Sequence, residues 1–319
     1  MSIDDLRQLA RFDDRLSFLY VEHARIDQCD QAIAFHDAAG TVPVPAAALA
    51  LLMLGPGTAI THAAVKALAD NNCLIAWVGE GAVRYYAHGT GGTRSSRHLL
   101  RQARLWADPV QRIEVVKRMY RRRFDEPVSA DLTLQQLRGK EGVRVREAYA
   151  KASETTGIVW AGRSYQRGSW ASADPVNRAL STANACLYGV VHAAMVSAGY
   201  SAALGFIHTG KQLSFVYDIA DLYKADVTIP LAFEVAGSHL TELERTVRLT
   251  CRDRFRQTRL IERVLPDIAW VLDLSSGPAD ADDSAFDEDQ ARPGALWDPS
   301  DADAEGTAQG GVDYGGPDR

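Results

Sequence analysis

AHGTGGTRSSRHLLRQARLWADPVQRIEVVKRMYRRRF, residues 87–124, is where the pattern of the chain changes. Residues 89–96 are rich in Gly, Ser and Thr, the composition of an interdomain linker. From Arg97 the apolar positions recur at helical spacing, and Asp108-Pro109 supplies an N-cap followed by proline at the first helical position. Upstream the signals are of a different kind. LSFLYVEHARID (from Leu16) and AIAFHDAAGTVPVP (from Ala32) alternate as strands do, with a turn at Ala39-Gly40. THAAVKALADNN reads as a short helix capped by Thr61, and CLIAWVGEGAVRYYAH as a hairpin turning at Gly79 to Gly81.

Downstream, Asp174-Pro175 repeats the proline device, and helical patterns cover TLQQLRGKEGVRVREAYAKASETTG, KQLSFVYDIADLYK and TELERTVRLTCRDRFRQTRLIERVL. The expected fold is therefore α+β: an N-terminal β domain over 1–88, a linker over 89–96, and an α-helical catalytic domain over 97–272. Residues 273–319 are rich in Asp, Ala, Gly and Pro, too poor in apolar side chains to offset chain entropy, and are expected to form a disordered acidic tail.

Charge divides along the same lines. The net −6 of the 319 residues combines thirteen acids and two bases after residue 272 with a body that carries 33 bases and 28 acids. Between Arg84 and Arg123 eleven Lys or Arg face only Asp108 and Glu114. Arg97, Arg101 and Arg104 fall on one helix face, and Arg118, Arg121 and Arg122 share another, an arrangement that suits phosphates. Solvated faces carry such stripes too. The acidic start and the absence of a long uncharged apolar run give neither a signal peptide nor a membrane span, so a cytoplasmic protein is expected. Four separated cysteines give no zinc ribbon or disulfide framework.

Chemistry concentrates in GFIHTGKQLSFVYDIADLYK, residues 205–224. Asp218 and Asp221, three apart on an expected helix, would project from one face with His208 in the turn before them. Two carboxylates and an imidazole suit Mg²⁺ or Mn²⁺, although acids at this spacing are also common on solvated helix surfaces. In QLRGKEGVRVREAY, Gly139 and Gly142 flank Glu141 and would let another backbone, a phosphate or a metal approach it; a surface acid paired with neighbouring arginines fits equally. Tyr188, in ACLYGVV, reads as a core residue. No P-loop and no nucleophile elbow is present.

These strings, with LLGPGTAITHAAVKALADNN, AWVGEGAVRYYA, NACLYGV and TIPLAFE, occur in the order and spacing of a known family. The chain resembles the CRISPR-associated endonuclease and integrase of spacer acquisition, the first CRISPR-associated protein family, in its type I-E (Cascade-linked) form. The resemblance covers about residues 14–262. It implies a metal site on Glu141, His208 and Asp221, a further catalytic acid at Asp218, and DNA contacts at Arg84, Lys211 and Lys224. Arg97 and Arg101 join that DNA-binding set from the charge pattern. The resemblance also implies a homodimer, with a dimer of a small second CRISPR-associated protein bridging two such homodimers on double-stranded protospacer and leader-repeat DNA. The implied reaction is attack of a DNA 3′-hydroxyl on a phosphodiester of the CRISPR array. A stand-alone nuclease acting on branched DNA is the alternative.

Overall fold

The computed structural model describes residues 18–30, 32–82, 85–89, 96–124, 127–129, 131–163, 174–238, 242–274, 296–297 and 307–308. Two four-stranded sheets make up the N-terminal part. One runs in the order Leu19–Val21 (β1), Leu51–Leu54 (β5), Leu74–Val78 (β7), Tyr85–Gly89 (β8), with β1, β5 and β7 parallel and β8 antiparallel. The other runs Gly40–Pro45 (β4), Ala32–Asp37 (β3), Arg25–Cys29 (β2), Ala59–Ile60 (β6). β4, β3 and β2 form an antiparallel meander, and β6 joins β2 in parallel.

The unbroken apolar run of β5 follows from its position. Leu51 and Met53 face a core shared with the helices, whereas Leu52 and Leu54 face a smaller core closed by Ile26, Ile33, Phe35 and Leu68. A strand buried on both faces loses the alternation that a half-exposed one shows. Leu68 comes from helix α1 (His62–Asp70), whose N-cap Thr61 accepts a hydrogen bond from the Ala64 N–H, as its sequence predicts.

The helices begin at Arg97. Asp108 caps α3 (Pro109–Arg122) by accepting from the Val110 and Gln111 N–H groups, and it also closes α2 (Arg97–Ala107). α4 (Leu134–Thr156) opens on a capping box between Thr133 and Gln136 and runs straight through Gly139 and Gly142. α5 (Pro175–Ser197), capped by Asp174, is the central helix. By length and composition alone α5 is apolar enough to cross a membrane, yet 67% of its apolar window is buried against the other elements. α7 (Ile229–Ser238), α8 (Leu243–Gln257) and α9 (Leu260–Leu272) pack around it.

One expected helix is not continuous. KQLSFVYDIADLYK forms α6 only over Ser214–Ala220; Asp221 ends it, and Lys224–Thr228 winds as a π-helix into α7. Pro230 explains the widening: it lacks the N–H an α-turn would use, and its ring would press on the carbonyl four residues back. Asp218 therefore lies within α6 and Asp221 at its end, still in helical conformation with its N–H bonded to the Tyr217 carbonyl; the break comes after both.

Cys29, Cys73, Cys186 and Cys251 are not joined in disulfides among the described residues. The expected linker core, 90–95, lies outside the described residues, as does most of the expected acidic tail. Within Ala279–Arg319, a separate unit, the described residues form a short antiparallel pair, Leu296–Trp297 with Thr307–Ala308.

Candidate active site

The loop from Ser201 to Leu213 carries His208, and it is fastened from both sides. Gln102 on α2 donates to the carbonyls of Ser201 (3.0 Å) and Leu204 (3.1 Å) and accepts from the Ser201 N–H. Trp106 Nε1 donates to the Gly205 carbonyl at 3.0 Å, and Arg112 on α3 donates to those of Gly205 and Phe206. Gly205 is required here: a Cβ would stand 2.3 Å from the His208 carbonyl oxygen and 2.7 Å from the Ser214 carbonyl carbon.

Asp218 organises the other side. Its carboxylate is fully buried and accepts the backbone N–H groups of Phe206 (2.6 Å), Ile207 (3.0 Å) and His208 (2.9 Å), as well as His208 Nδ1 at 2.7 Å. Successive N–H groups converging on one carboxylate form an anion-holding nest. The hydrogen bond to Asp218 holds the His208 pKa above the ordinary histidine value; partial burial opposes this, and the charge of Asp221 adds to it. With Nδ1 engaged, Nε2 is the ring nitrogen left to act. The resemblance implies a further catalytic acid at Asp218; with both oxygens already committed, the geometry suits it to orienting His208.

Glu141 and Asp221 are brought together through an arginine the sequence reading did not single out. Arg123, at the end of α3, donates through Nη1 to Oε1 of Glu141 at 3.2 Å and places Nη2 3.7 Å from Oδ2 of Asp221. Arg144 donates to the other Glu141 oxygen at 3.1 Å, and Lys224 to Oδ1 of Asp221 at 2.6 Å. Burial works against the Lys224 ammonium, but Asp221 outweighs it and keeps the lysine protonated well above its ordinary range. Lys224 also lies 4.8 Å from the ring centre of Tyr188, which meets Tyr217 edge-on. Tyr188 is thus half-buried at the wall of the site, not in the core interior as the sequence predicts.

The donor types fit a hard divalent cation: two carboxylates and an imidazole already oriented by a carboxylate behind it. Among the described residues, however, no three of His, Cys, Asp and Glu stand as a ready ligand group. Cationic side chains occupy the carboxylate oxygens instead. Gly139 has nothing within 4 Å of a hypothetical Cβ and Gly142 only the tip of Arg146, so no described element uses the access to Glu141 that they provide.

The basic residues divide. Arg97 and Arg101 are exposed on α2, Lys211 is exposed on the His208 loop, and Arg84 lies outside the described residues. On α3 the expected stripe is largely internal wiring. Arg118 donates to the Val271 carbonyl, and Arg122 makes a two-pronged contact with Asp267, which also accepts from Tyr223. Arg123 was legible in principle, since it continues the buried face of Val116, Met119 and Tyr120.

Residues 123–245, which hold Arg123, Glu141, His208, Asp218 and Asp221, match the family model described as CRISPR associated protein Cas1. The CRISPR-associated endonuclease Cas1 2 of Thermus thermophilus is 53% identical over 317 residues, spanning 99% of this chain and 95% of the relative. The chain belongs to the Cas1 family. The Cas1 endonuclease of Escherichia coli K12 is 45% identical over 260 residues, 81% of this chain and 85% of its own. Among solved structures, a TtCas1–DNA complex superposes with a TM-score of 0.79 at 51% identity, covering 93% of this chain and all of that one. A casposase bound to its integration product shares the Cas1 fold at 12% identity, with a TM-score of 0.62 over 88% of this chain and 96% of its own.

Proposed function

We propose that this protein is a divalent-metal-dependent DNA integrase and endonuclease of CRISPR adaptation, of the type I-E form, which joins the 3′-hydroxyls of short protospacer duplexes to the CRISPR array by transesterification. The observation that carries the reading is the convergence of Glu141 and Asp221 on one buried cation, beside a histidine locked by Asp218. Glu141, Asp221 and Nε2 of His208 would hold Mg²⁺ or Mn²⁺, which when bound polarises a scissile phosphate and stabilises charge on its oxygens.

The protein's own groups do the rest. Asp218 keeps the His208 proton on Nδ1 and frees Nε2. Lys211 offers an exposed ammonium on the same loop, and Arg97 and Arg101 an exposed cationic face, both suited to a DNA backbone. Lys224 reaches DNA only by loosening its bond to Asp221. The working unit in this reading is cytoplasmic, a homodimer paired with a second through a dimer of a small CRISPR-associated partner. The DNA complex of the 51%-identical relative supports the nucleic-acid part.

The test is strand joining. A labelled duplex with free 3′-hydroxyls is mixed with a supercoiled CRISPR plasmid, a divalent cation and the partner protein. Label is expected to enter the plasmid with wild type and not with His208→Ala. Cutting without joining would favour the branched-DNA nuclease; equal transfer by both proteins would remove His208 from the site.

The pH dependence follows from the raised pKa of His208. Because the folded value exceeds the unfolded one, the His208–Asp218 pair adds stability below the unfolded pKa and loses it as pH rises through the folded pKa. Activity runs the other way, because Nε2 donates a lone pair only when the ring is neutral. At limiting divalent ion the acid limb of joining is therefore expected above the ordinary histidine value of about 6.5, with about tenfold loss per pH unit below it, and excess ion shifts it lower by competing with the proton. A rate that stays flat from pH 8 down to pH 5.5 would contradict this.

A further inference from the structure

Arg123 is the most confined charge in the site. Its side chain is only 4% exposed, its guanidinium stacks 5.0 Å from the ring centre of Tyr120, and its Nε and Nη2 have no hydrogen-bond partner among the described residues. A guanidinium does not deprotonate in proteins, and a buried one is expensive unless carboxylates surround it. Here two do, Glu141 at 3.2 Å and Asp221 at 3.7 Å. Both acids belong to the set assigned above to a divalent cation, and a cation drawn to them meets a fixed positive charge already placed against each. At a few ångström in a poorly hydrated site, like charges exclude one another.

We propose that Arg123 is a built-in counter-cation and positioning residue: it holds Glu141 and Asp221 together in the metal-free protein and must release at least Glu141 before the pair accepts a divalent ion. This rests on the metal reading of the site. Nε and Nη2, without a hydrogen bond to any described residue, agree with a side chain that is held by charge more than by a complete set of hydrogen bonds. Arg144 and Lys224, each donating to a carboxylate oxygen that Arg123 leaves, keep the acids satisfied on their outer sides.

The test compares full-length wild type, Arg123→Met, Arg123→Lys and Glu141→Ala. Mn²⁺ binding is followed by the loss of the free-ion electron paramagnetic signal, and thermal unfolding is run in chelator and in excess Mn²⁺. Arg123→Met should bind Mn²⁺ about tenfold more tightly or better, because a like charge is gone. It should also melt lower than wild type in chelator and recover more on adding Mn²⁺. Arg123→Lys keeps a charge that reaches one carboxylate only, so it should fall between the two, and it carries the test if Arg123→Met does not fold. Equal or weaker Mn²⁺ binding by the folded variants, with binding abolished by Glu141→Ala, overturns the role of Arg123 and leaves the metal site standing. No Mn²⁺ uptake by any of the four at millimolar ion overturns the metal reading and this inference with it.

Discussion

Asp218→Ala is expected to abolish strand joining and to lower the melting temperature by roughly 10 °C. The residue is fully buried, and its two oxygens take three consecutive backbone N–H groups and the His208 ring. Alanine leaves all three N–H groups without an acceptor in a region closed by Phe206 and Phe215, at roughly 1–3 kcal/mol for each unpaired buried group. The total, roughly 3–9 kcal/mol, brackets the stated shift at about 2–4 °C per kcal/mol for a body of this size. Activity falls for a separate reason: nothing then fixes His208 Nδ1, so the loop from Gly205 to Lys211 loses the contact that orients the ring and leaves Nε2 available. Asp218→Asn should sit between the two, since one amide oxygen still accepts while the NH₂ group faces backbone donors. Calorimetry in chelator reads the structural part and joining the chemical part. An Asp218→Ala protein with wild-type melting would show that the nest does not support the loop.

What the sequence makes legible is what short-range chemistry dictates. Thr61, Asp108 and Asp174 announce three helix starts because a side-chain oxygen before a run of free N–H groups acts within a few residues. The change from period two to helical spacing near residue 90 separates strands from helices for the same reason. Long-range pairings are another matter. The spacing of Asp218 and Asp221 holds to the end of α6, but the expected helix stops there, and the π-turn that precedes Pro230, nine residues past Asp221, is not announced by that spacing. Which arginine of the Arg121–Arg123 run turns inward depends on the phase of α3 against α4 and on where Glu141 and Asp221 meet. Composition counts all three alike. The basic stripe of α3 misleads in the same way, because Arg118 and Arg122 find their acceptors on α9, some 150 residues away, at Val271 and Asp267.

Glu141 is where stability and chemistry are expected to separate most sharply. Glu141→Ala should reduce joining and nicking by at least about a hundredfold, as loss of a charge-stabilising group at a reacting phosphate does. It should also destabilise the metal-free protein by roughly 3–5 kcal/mol, the range for removing one partner of a buried ion pair. The second figure follows from burial: Glu141 is 12% exposed and Arg123 only 4%, so solvent offers the abandoned guanidinium little compensation, and Asp221 at 3.7 Å is left as its counter-charge among the described residues. Glu141→Gln distinguishes the two effects. Its amide oxygen still accepts from Arg123 and its size is unchanged, but its NH₂ group then faces the Arg144 donor, so part of the stability should return, while the missing charge keeps activity low. Thermal unfolding in chelator beside a joining assay separates them: both variants are expected to be inactive, with Glu141→Gln melting above Glu141→Ala. If both variants melt together, Arg123 does not depend on Glu141, and the pairing that defines this site carries no structural weight. If Glu141→Ala joins DNA at the wild-type rate, the carboxylate pair is a structural salt bridge and the chemistry lies elsewhere in the chain.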